Sequence, residues 1–348
     1  MDKRVIFAVA GSGKTTHIIN RLDTQKRAII LTYTENNYYH LKNQIIQKFG
    51  YIPDNINIQT YFTFLYSFCY KPFFHDIWQS RGINWDIPPS STLKLKRTDK
   101  KFYMDQYYRL YSNRIAKLII MNEGVKDIRN RLAKYFDDLY IDEIQDFAGH
   151  DFNLIKEICR NVQINITLVG DFNQHTFDTS RDGATNKNLH NDFNEYQQHF
   201  RDTGITVDTT TLAKSYRCPP SSCNFIKSNL GINIESNRQT NFAVELLTDE
   251  EKIHNVFHDD SIVKLFYKEH SKYACYSNNW GKSKGLDCYL DVCVVLNKTA
   301  FEAYINNNLS NMPASSRNKL YVACTRAKKN LYFVNESKLK SFKIKSSV

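Results

Sequence analysis

The stretch AVAGSGKTT, Ala8 to Thr16, limits the fold more tightly than any other part of the chain, because an apolar run (Val5, Ile6, Phe7) leads into it and a helical pattern leaves it. A strand that enters a glycine turn and then a helix has the form of a phosphate-binding loop. Gly11 and Gly13, with Ser12 between them, let backbone N–H groups turn inward around a polyphosphate. Lys14 reaches the outer phosphates, and Thr15, followed by Thr16, offers a hydroxyl to Mg2+. The positive end of the helix beginning near Lys14 adds to the attraction. Ala8 stands where the G-x-x-x-x-G-K-[ST] pattern has its first glycine.

Strand, loop and helix then alternate. Ala28 to Leu31 is an apolar strand ending in TYTENN, before a helix carrying Leu41, Ile45 and Phe49; Ile56 to Gln59 is a third strand, ending at TYFTF. Such repeats predict a parallel sheet whose ligands sit at the carboxyl ends of the strands. Leu139 to Ile141 delivers Asp142 and Glu143 to such an end, a carboxylate pair suited to Mg2+ and to polarising water, and Ile166 to Val169 delivers Asp171 and Gln174. Between them, residues 71–135 loosen into a Pro- and Lys-rich segment with helix-like stretches at Asp105–Met121 and Val125–Tyr135, expected to be a small, mostly helical insertion.

A second unit is expected from about Thr209, with strands at Ala243–Leu247, Tyr273–Tyr276, Cys288–Leu296 and Leu331–Val334, Arg217 ahead of Pro219-Pro220, and Arg326 on a late helix. The fold class is therefore α/β: two domains with parallel sheets, 1–208 and 209–348, with one nucleotide expected to be clamped between them. The formal charge of +11 favours an anionic partner, and 22 Tyr and 22 Phe make stacking surfaces available beyond ordinary core. Eight cysteines in apolar or helical contexts, with no signal peptide, predict a reduced, cytoplasmic protein, and no apolar run is long enough to span a bilayer, so no membrane partner is expected. Cys218 with Cys223 and Cys288 with Cys293 share a spacing, but the second pair would face opposite sides of a strand, which disfavours a thiolate metal site.

Read in order, AVAGSGKTT, LTYTENN, IQTYFTF, YIDEIQDF, LVGDFNQ, LAKSYRCPPS, KSKGLD and LYVACTRAKKNL resemble the motifs of superfamily 1 helicases, in the UvrD/Rep-like branch. The resemblance implies two RecA-like P-loop domains and ATP hydrolysis with Mg2+. It assigns phosphate and metal binding to Lys14 and Thr15, metal to Asp142, water activation to Glu143, the γ-phosphate to Gln174, and transition-state charge to Arg217 and Arg326. Gly285 and Asp287 match the loop that touches nucleotide and links it to DNA, where Glu is more usual than Asp. Thr32, Tyr33, Thr34, Thr60 and Phe64 match blocks that contact single-stranded DNA, Phe177 falls where another stacking ring is expected, and Phe62, usually His in the family, is expected to be a packed ring.

Only about 60 residues separate Arg217 from KSKGLD, so the chain is a compact form without the family's large accessory insertion in the second domain. The upstream glutamine that reads adenine in relatives is also missing from the sequence. The function expected from these marks is ATP-driven movement on single-stranded DNA, and the resemblance implies the 3′ to 5′ direction. A nucleotide-switched regulatory ATPase partnered within a nuclease or defence assembly is the alternative.

Overall fold

In the computed structural model the described residues are 1–176 and 182–344, and they fall into two compact units. The first takes in Met1–Phe7, Lys14–Gly170 and 182–208; the second takes in Ala8–Gly13, 171–176 and 209–344.

The first unit is built on a six-stranded sheet: β1 (Lys3–Phe7), β2 (Ala28–Thr32), β3 (Ile56–Thr60), β4 (Asp138–Asp142), β5 (Asn165–Gly170) and β6 (Thr206–Asp208), in the order β3-β2-β4-β5-β1-β6. Every pairing is parallel. β2 and β4 are buried along their whole length, because crossover helices cover both faces of a parallel sheet, and this is why they read as apolar runs rather than as alternating strands. The register sets Thr32 against Thr60, Asp142 beside Val169 and Phe7 beside Gly170, so the loops after β1 to β5 open on one edge. The helix after β2, Glu35–Phe49, starts where the Thr34 hydroxyl accepts the Asn37 N–H and stops at Gly50, whose φ of 80° closes the last turn.

The insertion differs in part from expectation. Val125–Tyr135 is a helix, but Asp105–Met121 is helical only in its second half, a 3-10 turn at Ser112–Arg114 leading into an α-helix over Ile115–Met121. The Asp105 carboxylate accepts the N–H groups of Tyr107 and Arg109, and Tyr108 takes a φ of 62°; a side chain that caps its own backbone competes with the helix. A two-stranded parallel sheet follows instead, Ile83–Asn84 with Leu110–Tyr111.

Arg114, 1% exposed, fixes the insertion: it lies 3.9 Å over the Phe102 ring, donates to the Phe102 carbonyl and pairs with Asp182 at 2.9 Å. Burial opposes the charged Asp182, but hydrogen bonds from His150 and Arg114 win and hold its carboxyl down to about 2. Because that is below the ordinary aspartate value, the gain is complete above about pH 4 and disappears as pH falls through about 2, an effect of roughly 2 kcal/mol. Thermal unfolding followed from about pH 5 to pH 2 is expected to fall more steeply in the native chain than in Asp182→Asn. Parallel curves would show that the pair contributes nothing.

The second unit carries five parallel strands: β7 (Val244–Leu246), β8 (Ile262–Phe266), β9 (Ser277–Asn279), β10 (Asp291–Leu296) and β11 (Leu331–Asn335), ordered β7-β11-β10-β8-β9. Along β10 the two-residue period sends Val292, Val294 and Leu296 into one core and Cys293 and Val295 into the other. The strand expected at Tyr273–Tyr276 lies later, at Ser277–Asn279; Tyr273 instead stacks on Phe266 with ring centres 4.4 Å apart. The late helix ends at Cys324, so Arg326 lies beyond it. Cys288 is exposed and Cys293 buried, and all eight cysteines are free. Among the described residues, no helix is long and apolar enough to cross a membrane.

Candidate nucleotide and nucleic-acid site

In the first unit, the turn after β1 and the end of β4 bring four expected residues together. Thr15 Oγ1 donates to Asp142 Oδ2 at 3.2 Å, and Lys14 Nζ lies 3.7 Å from Glu143 Oε1. Burial, with Glu143 adjoining, pushes the Asp142 carboxyl up to about 7 against the pull of Lys14 and the Thr15 hydroxyl. A buried carboxylate with too little positive charge beside it, next to a hydroxyl oxygen, is a fitting donor set for a hard divalent cation. Thr16 is exposed on the same helix.

Glu143 sits in the left-handed region, φ 57° and ψ 48°, a strained conformation for a residue with a long side chain. Its backbone N–H is held by Asp142 Oδ1 at 3.0 Å, and the buried Gln145 donates from Nε2 to Glu143 Oε2. Gln145 was not singled out in the sequence, yet it fixes the rotamer of the candidate base. Gly170 makes room for it, since a Cβ there would strike Gln145 Oε1 and Ile144.

In the second unit, Gly11 (φ 70°) carries the loop past Arg217: a Cβ on Gly11 would come within 2.5 Å of Arg217 Cβ and 2.9 Å of Ser215 Oγ. Only glycine meets both demands, the left-handed turn and the close approach. The Tyr216 N–H donates to the Gly11 carbonyl at 2.9 Å, which seats the Arg217 segment on the phosphate loop. Gly13 also has positive φ, 85°, and the buried Ser12 hydroxyl has no hydrogen-bond partner among the described residues, an orphaned polar atom consistent with a cradle for phosphate oxygens.

Arg217 Nε donates to Asp287 Oδ1 at 2.6 Å. Burial opposes the Asp287 carboxylate, but Arg217, Lys328 and Arg326 outweigh it and hold its pKa below the usual range. Gly285, φ 82°, lets the chain turn into this contact. Arg326 is buried: its Nη1 donates to the Leu286 carbonyl at 2.8 Å and its Nε to Val322 at 3.1 Å, while burial and the neighbouring Arg217 lower its pKa to about 10. Gln174 is buried in the short turn after Asp171.

Tyr321 is a second residue that the sequence reading passed over. Its hydroxyl accepts the Ala10 N–H at 3.0 Å and donates to Asp171 Oδ2 at 3.0 Å, so one buried side chain ties the loop crest to the start of the GDFNQ turn. Only its place in LYVACTR hinted at more than core packing.

Of the expected nucleic-acid contacts, Tyr33 is half-buried and lies within 5.8 Å, centre to centre, of the rings of Tyr61, Phe62 and Phe147. Thr34 and Thr60 are half-buried and cap the helical segments that follow them. Two assignments need correction. Phe64 is fully buried and stacks on Phe68, which leaves no face for a base, and Thr32 is fully buried in its strand. Thr32 lies in a strand that is buried along its whole length, and Phe64 is buried next to the exposed Thr63. Phe177 lies outside the described residues.

A parallel sheet with a phosphate loop after its first strand, and an acidic pair after another strand of the sheet, define a P-loop nucleotide-binding protein. Residues 109–335 match the family described as the viral superfamily 1 RNA helicase core domain, and the chain belongs to that family. No curated protein matches it. Among solved structures, the complex of arterivirus nonstructural protein 10 (helicase) with DNA is similar at a TM-score of 0.50 and 13% identity, over 95% of this chain and 60% of that one. A crystal structure of arterivirus nonstructural protein 10 (helicase) gives 0.47 and 13%, over 98% and 62%. At such identity the first likeness concerns the fold alone, and the chain spans about three fifths of the length of these relatives.

Proposed function

We propose that the chain is a superfamily 1 motor of the UvrD/Rep-like kind, hydrolysing ATP with Mg2+ while moving 3′ to 5′ on single-stranded DNA, with 1–208 and 209–348 as its RecA-like domains. The observation that carries the reading is the juxtaposition of Lys14 with Glu143 and of Thr15 with Asp142 at the ends of β1 and β4. In this reading Lys14 holds the outer phosphates, with the backbone of Gly11 to Gly13 around them. Glu143, its rotamer set by Gln145, takes the proton of the attacking water. Gln174 senses the γ-phosphate, and Arg217 and Arg326 neutralise charge as the phosphoryl group leaves. Thr15 and Asp142 would hold Mg2+, which when bound offsets charge on the phosphate oxygens.

The test is steady-state ATP hydrolysis with and without single-stranded DNA, duplex DNA and RNA, with Glu143→Gln as the blank. Strong stimulation by single-stranded DNA is expected. Stimulation by RNA alone would overturn the DNA assignment and keep the motor. A basal rate indifferent to every nucleic acid would overturn the motor and favour a regulatory ATPase.

A further inference from the structure

The geometry points to a docking surface for unpaired nucleic acid on the small sheet of the insertion, made of Trp85, Tyr107, Tyr108, Arg81 and Arg109. This inference rests on the reading of the chain as a nucleic-acid motor and adds a site that the motif blocks do not contain.

Large aromatic side chains are costly to leave in water, yet three stand out on this small sheet: Trp85, 62% exposed, beyond its carboxyl end, and Tyr107 and Tyr108, 62% and 54% exposed, before its amino end. They share one scaffold. Trp85 follows the strand Ile83–Asn84, which pairs with Leu110–Tyr111, and the two tyrosines occupy the turn leading into that second strand. The turn is braced at several points. The Arg81 N–H donates to the Tyr108 carbonyl at 2.8 Å, Asn84 Nδ2 donates to Asp105 Oδ2 at 2.9 Å, and Arg109 pairs with the same carboxylate at 2.7 Å. Trp85 rests edge-on against Phe62, with ring centres 4.7 Å apart. The rings are therefore held in place before any ligand arrives, which reduces the entropy lost on binding.

The arginines decide the kind of ligand. The Arg81 guanidinium lies 5.6 Å from the centre of the Tyr108 ring, and that of Arg109 5.3 Å from the centre of Tyr107. Cations interleaved with exposed rings match a strand of alternating phosphates and bases: the rings stack on any base and Arg81 meets the backbone, while Arg109 holds the turn through Asp105. The net charge of +11 has the right sign. Phe62, behind Trp85, lies two residues after Thr60 at the end of β3, so the surface continues from the edge where the nucleic acid is expected. A duplex hides its base faces, so the ligand is unpaired.

Trp85 is also its own probe. The other tryptophans, Trp78 and Trp280, are buried, so a base stacking on the surface quenches mainly Trp85 fluorescence. The full chain is titrated with an oligo(dT) of about 15 nucleotides and with a hairpin duplex, while anisotropy of a dye on the oligonucleotide reports total binding. Quenching by oligo(dT) that is absent in Trp85→Phe is expected, together with an affinity loss of about 5- to 100-fold in Trp85→Ala and Tyr107→Ala. Arg81→Ala is expected to reduce the slope of log affinity against log salt by about one. Unchanged thermal unfolding of these surface variants separates lost binding from misfolding. If the labelled oligonucleotide binds without quenching and without loss in any variant, this surface is not the site, while the motor reading stands. If it binds to no form of the protein, the motor reading itself falls.

Discussion

Glu143→Gln is expected to bind ATP about as tightly as the native chain while turnover falls about 10²- to 10⁴-fold, the range for losing a general base. The amide keeps the size and reach of the carboxylate but cannot take a proton. Gln145, which holds the carboxylate in the native chain, still has an oxygen to donate to. Lys14→Ala behaves differently. Lys14 lies near the buried Asp142 and the half-buried Glu143, and without it both the outer phosphates and the two carboxylates lose counter-charge, so nucleotide binding itself is expected to vanish. Titration with a fluorescent nucleotide, beside single-turnover hydrolysis, separates the two effects. Equal loss of binding in both variants would remove the role given to Glu143.

Arg217→Ala is expected to lower kcat by about 10³- to 10⁵-fold with a much smaller change in nucleotide affinity, as for arginines that meet charge developing in phosphoryl transfer. The support is local: the Arg217 backbone is seated against Gly11, and its side chain is aimed by Asp287. Asp287→Asn provides the control. If Arg217 merely partners Asp287, removing that carboxylate will reproduce the whole loss. If Arg217 serves the phosphate, Asp287→Asn will be far milder, because the guanidinium stays and only its orientation loosens. Arg217→Lys is expected to recover little, since a point charge does not reproduce the planar fork of donors.

The glycine turn after β1 was legible because its geometry is local. A phosphate loop needs glycine at positions of positive φ and a Lys-Thr pair immediately after, and both demands fall within a few residues of chain. The carboxylates of YIDEIQD were legible for the same reason: an apolar strand fixes where its end lies. Thr32 and Phe64 were misplaced by the same logic, since sharing a block with exposed residues does not say which way a side chain points.

The alternation of strand and helix, the two parallel sheets and the residues at the strand ends are all written in short-range periodicity and turn chemistry, and so could be read before any fold was known. Which distant groups meet is settled by packing: Tyr321 with Ala10 and Asp171, Arg114 with Asp182, and Trp85 with Phe62. These pairs are separated by 23 to 311 positions in the chain. A residue's burial and its partners depend on which segments the fold packs against it, and a single side chain carries no mark of that until the packing exists.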